Sequence, residues 1–150
     1  MRFLTGAVVV LLMVLTTLAQ ASPFSVVGSF DVVGGQRDGE DLPKAEWEGL
    51  TVIFTKDTVV TVKDDNKLYA AKYRIVGASS KIPGALMIDM TSTIPKPGQK
   101  ARGLIEIEQK SGIAKLIYAL PGTGRPDDFE PGKGELMFEL KPLAEPVSVE

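Results

Sequence analysis

A chain of 150 residues supports one domain, and at that size a hydrophobic core holds without metal or disulfide support. It contains no Cys and no His, which excludes a disulfide framework, a thiol nucleophile, an imidazole base and a zinc site built from the usual ligands. A formal charge of -2 and a pI near 5.3 leave no electrostatic footprint for nucleic acid.

The first segment reads as an export signal. Arg2 supplies a positive charge, residues 3–15 are almost wholly apolar, and Ala19 and Ala21 place small residues where a signal peptidase reads. Cleavage is expected near Ala21, giving a signal peptide over 1–21, a barrel domain over 22–143 and a frayed tail over 144–150. An uncleaved anchor is the alternative, but the apolar run is close to the minimum spanning length. The product is expected to be periplasmic or extracellular, with no membrane span left in the mature chain. Lipoprotein anchoring would need a Cys after the cleavage site.

Residues 26–33 place Phe30 and Val32 on one face and Ser29, Asp31 and Val33 on the other, the period of a half-buried strand. Gly34-Gly35 is expected to end that strand, and Asp38-Gly39 to form a turn. Residues 43–49, with Pro near the start and Gly at the end, fit one short helical turn. Residues 50–55 and 58–63 form a tight hairpin, and Asp64-Asp65-Asn66-Lys67 turns the chain into a strand over 68–76. There Tyr69, Ala71, Tyr73 and Ile75 are expected inside, opposite Lys72 and Arg74.

Further strands are expected over 85–90, 102–108, 113–120 and 135–140, with a long irregular stretch over 121–132. Leu86, Ile88 and Met90 share one face, as do Ala114, Leu116 and Tyr118, and then Leu136, Phe138 and Leu140. The expectation is an all-β fold: about eight antiparallel strands in an up-and-down, lipocalin-like barrel with at most one short helical turn.

Gly28-Ser29-Phe30-Asp31-Val32-Val33, Asp38-Gly39, residues 50–54, Pro83 through Ile88-Asp89, and Arg125-Pro126 with Phe129 follow one another in a recognisable order and spacing. On these landmarks the chain resembles an uncharacterised family of exported bacterial domains, abundant in planctomycetes, with a lipocalin-like fold. The resemblance covers nearly the whole expected mature chain and brings no activity with it. The family usually has Trp where this chain has Phe30, and Arg where it has Lys141. In lipocalin-like barrels such a Trp stacks under an Arg of the last strand and closes the barrel bottom. The resemblance therefore implies that Phe30 is buried near Lys141, as a weaker form of that contact.

No motif selects a catalytic centre, and no cofactor is expected. Arg125 and Asp127 flank a Pro in the longest loop, as a grip for a polar ligand group at the barrel mouth or, in the preferred reading, as a clamp in which Arg125 caps carbonyls and Phe129 plugs a gap. Asp89 lies in an apolar strand, where a carboxylate either titrates for proton transfer or, more ordinarily, pairs with a neighbour such as Arg102. Tyr69, Tyr73 and Tyr118 either line a cavity or pack a filled core. Asp64-Asp65-Asn66 and Asp127-Asp128-Glu130 lack the spacing of a calcium loop and read as solvated turns. The leading expectation is a non-catalytic exported barrel whose partner is a small apolar or amphipathic ligand or an envelope protein. A filled structural or interaction domain comes second and a carboxylate-based hydrolase third.

Overall fold

The computed structural model describes residues 25–144. The expected export signal and the tail beyond residue 144 therefore lie outside the described residues. Among the described residues nine strands occur in chain order: β1 (Gly28–Arg37), β2 (Glu40–Asp41), β3 (Thr51–Phe54), β4 (Thr58–Lys63), β5 (Asn66–Ala78), β6 (Leu86–Ile94), β7 (Lys100–Ile107), β8 (Ala114–Ala119) and β9 (Glu135–Pro142). A four-residue helix, α1 (Lys44–Trp47), follows Pro43 and stops short of Gly49, whose φ of 78° suits glycine.

Eight strands form a closed antiparallel barrel in the order β1-β3-β4-β5-β6-β7-β8-β9, and β9 pairs back with β1. The short β2 is an addition on β1, joined by a two-residue turn with positive φ at Asp38 and Gly39. The β4–β5 hairpin turns in the same way on Asp64 and Asp65. Closure removes the free edges that a run of short strands would otherwise expose.

Gly34-Gly35 does not end β1. The strand runs on to Arg37 through a bulge against β9, where Val32 faces Leu140 and Gly34 faces Glu139, so that Val33 is the extra residue. A Cβ at Gly35 would lie 2.9 Å from Leu42 and 3.0 Å from Phe138, so glycine here lets those side chains close over the backbone.

The interior is built from the alternate positions that period two selects: Val32, Val52, Phe54, Ile88, Ile105 and Leu140 belong to one buried cluster. Outside the barrel a second row crosses four strands. Met87, Leu104, Ile117 and Met137 lie opposite one another in register, covered by Ile82 and Phe129. That apolar stripe explains why β6 is apolar on both faces.

The seam between the first and last barrel strands is present, but the closure implied for Phe30 and Lys141 is not how the end is filled. Phe30 lies opposite Pro142, and Lys141 lies opposite Asp31. Phe30 and Val32 are buried, whereas Asp31 and Lys141 are exposed, so the two side chains occupy opposite faces of the sheet. Phe30 instead meets Phe54 edge to face at 6.1 Å, and Phe54 meets Tyr73 edge to face at 5.4 Å. Three aromatic rings form the floor.

Candidate functional site

Four connections gather at the end away from that floor: the β1-β2-α1 segment, the β4–β5 turn, the β6–β7 loop and the start of the β8–β9 loop. Between them opens a cavity of about 510 Å³. Val52, Val59, Met90, Leu116, Phe138 and Leu140 are among its apolar walls, while Arg37, Glu46, Tyr69, Lys96, Lys100 and Tyr118 bring polar atoms to it. The volume falls in the range of about 300–1,000 Å³ typical of small-molecule sites.

Space exists here because small residues stand on the inner face. Ala71 and Ala101 face inward beside the larger core residues. Gly103 lies opposite Tyr118, and a Cβ on it would come within 2.3 Å of the Ile117 carbonyl and 3.0 Å of the Tyr118 Cβ. Glycine at that point lets β7 and β8 approach closely and leaves the Tyr118 ring free to lie along the wall, where it stacks with Phe138 at 6.3 Å.

The tyrosines divide. Tyr73 belongs to the floor: it is buried, and its hydroxyl donates to the Thr55 carbonyl, which ties β5 to the β3–β4 turn. Burial, with a smaller contribution from the Asp57 charge, raises its pKa. Tyr118 lines the cavity wall and Tyr69 its rim. Tyr69 is 59% exposed at that rim, and Ile75, which lies opposite the inward Ile88 toward the other end of β5, is exposed as well.

Burial pushes the Tyr118 phenol up to about 12; Tyr69 adds to the rise and the Arg37 charge opposes it. The residue is half-buried, with the rest of its surface on the cavity. Since the folded protein holds this proton more tightly than the unfolded chain does, the associated stability is present below pH 10 and is lost as pH rises toward 12. An alkaline absorbance titration should therefore show a phenol ionising near pH 12 that disappears in Tyr118→Phe.

Arg125 and Asp89 are brought together, but not at the mouth, and Asp127 pairs elsewhere. After Pro121 the β8–β9 loop leaves the rim and runs over the outer wall, drawn there by the stripe that Phe129 covers and by Pro126 and Pro131, both buried. The Arg125 guanidinium straddles the β6–β7 ladder. It donates to the Ile88 carbonyl at 3.1 Å, the Gly103 carbonyl at 2.8 Å and the Asp89 carboxylate. Arg74 approaches Asp89 at 3.9 Å, and Arg102 lies opposite it in the ladder. Asp127 pairs with Lys81 of the β5–β6 loop.

These contacts are those of a structural clamp. A second hollow of about 300 Å³ lies along β5, β6 and β7, with Lys72, Arg74, Asp89 and Arg102 among its lining residues. The residue that sequence patterning passed over is Arg37. Its inward direction follows only from the bulge at Val33, because ending β1 at Gly34 would leave Arg37 in a turn. Searches of family models, curated proteins and solved structures return no match for this chain.

Proposed function

We propose that this protein is a non-catalytic binding barrel that carries a small apolar or amphipathic molecule in its open-ended cavity. The observation that carries the reading is the 510 Å³ cavity above an aromatic floor, in a fold small enough to have been filled by its own side chains. A solidly packed interaction domain would have no use for Ala71 and Ala101 along one inner surface.

The export reading of residues 1–21 and the resemblance to the exported planctomycete-abundant family belong to the same proposal, and support a barrel that works in the periplasm or outside the cell. The outer wall is consistent with water on that side. Glu106, Lys115 and Glu139 form an outward row across β7, β8 and β9, where a lipid-embedded barrel would carry a continuous apolar band. Asp89, the carboxylate weighed for proton transfer, is engaged by Arg125, which does not favour a carboxylate-based hydrolase.

Native mass spectrometry of the protein purified from its own host tests the reading. A reproducible adduct of one small molecule per chain is expected. A bare barrel across independent preparations would count against it.

A further inference from the structure

Arg37 stands where the inner wall of a barrel ordinarily carries an apolar side chain. Beyond the β1 bulge, Gly35 lies opposite Phe138 and Arg37 opposite Leu136, both inward positions of β9. Gln36 between them turns outward with Met137 and bonds Asp41. Leu136 in turn lies opposite Tyr118, so Arg37, Leu136 and Tyr118 form one cross-strand row on the inner wall at the open end.

Among the described residues, neither polar member of that row is held by a hydrogen bond or a buried ion pair. The nearest acid to Arg37 is Glu46 of α1, at 3.7 Å in a half-exposed pair that holds the guanidinium only loosely. The Tyr118 hydroxyl faces the cavity and makes no hydrogen bond to any described residue. Lys96 and Lys100 border the same cavity without an ion pair among the described residues. The charged residues that line the cavity are thus three cations, Arg37, Lys96 and Lys100, and one carboxylate, Glu46, in a chain whose formal charge is -2.

We infer that the cavity selects an amphiphile with an anionic oxygen head group, a carboxylate in the simplest case, held by Arg37 and Tyr118 at the open end with its apolar tail in the barrel. The inference rests on the proposed binding function and adds the chemical class of the ligand. A guanidinium presents two parallel N–H donors that match a carboxylate, and a neutral phenol adds a third donor. Lys96 and Lys100 raise the local concentration of anions at the entrance. A cationic head group would meet three like charges, and an uncharged one would cover Arg37 without compensating it.

Isothermal titration of the full chain with dodecanoate, dodecan-1-ol and dodecyltrimethylammonium, each below its micelle concentration, separates the outcomes. Dodecanoate should bind about tenfold or more tightly than the alcohol, and the ammonium salt weakest. Arg37→Gln should remove most of that preference, and Arg37→Lys should keep part of it. Tyr118→Phe should weaken dodecanoate binding about three- to tenfold. Shortening the tail by one CH₂ should weaken each ligand about fourfold. Equal affinity for dodecanoate and dodecan-1-ol, or a carboxylate preference that survives in Arg37→Gln and Arg37→Lys alike, overturns the head-group assignment and leaves the binding barrel standing. Failure of all three amphiphiles to bind overturns the binding barrel itself and the inference with it.

Discussion

Replacing Phe54 by Ala is expected to destabilise the barrel by about 3–5 kcal/mol, and to lower its melting temperature by roughly 10–20 °C. Phe54 is 1% exposed and sits between Phe30 and Tyr73 with both rings edge to face. Removing it takes away the transfer free energy of a fully buried ring and leaves a void that the closed wall cannot collapse to fill. Both aromatic contacts disappear at once, and the Tyr73 hydroxyl loses the packing that holds it against the Thr55 carbonyl. Phe54→Leu, which keeps most of the volume, should cost under half as much. A thermal melt by circular dichroism checks this, and a loss below about 1 kcal/mol in Phe54→Ala would mean that the floor is not where the barrel is closed.

Arg125→Ala should cost about 2–4 kcal/mol, an effect of comparable size from a residue on the outside of the wall. The guanidinium bonds two backbone carbonyls and Asp89 while only 22% of its side chain is exposed. Its loss would leave those carbonyls without that donor, and Asp89 with Arg74 at 3.9 Å as its remaining ion-pair partner. Arg125→Lys should recover only a small part, because an ammonium cannot span three acceptors in a plane. Ligand affinity should stay within about twofold of wild type, since Arg125 is not among the cavity-lining residues. Unchanged stability combined with altered ligand uptake would reverse the assignment and return Arg125 to the binding site.

The eight barrel strands and their inward faces were legible because period two is a local property. Val52 and Phe54, Ile88 and Met90, and Leu116 and Tyr118 each alternate with polar or outward neighbours within a few residues. The Asp38-Gly39 turn and the helical turn after Pro43 were equally local. Failures arose where the answer depends on strands far apart in the chain. Phe30 and Lys141 miss each other by a single register step, Phe30 lying opposite Pro142, and in a sheet one step moves a side chain to the other face.

The same distant register hid Arg37. A pair of glycines reads locally as a break, but against β9 it becomes a bulge that carries the strand onward and turns an arginine into the cavity. The long loop, expected at the mouth, only begins there. Its course down the outer wall depends on the stripe of Met87, Leu104, Ile117 and Met137, four residues on four strands that assemble only after the barrel closes.

The open interior is the central claim, and a fluorescence titration with the neutral probe N-phenyl-1-naphthylamine tests it most directly on wild type and Ala71→Trp. Ala71 lines the cavity and faces inward, so an indole placed there occupies the space a ligand would take. Saturable enhancement at one probe per chain in wild type, lost in Ala71→Trp while the far-ultraviolet circular dichroism is retained, is the predicted result. Saturable binding that Ala71→Trp leaves intact, or no enhancement in either protein, would contradict an open, ligand-accepting barrel.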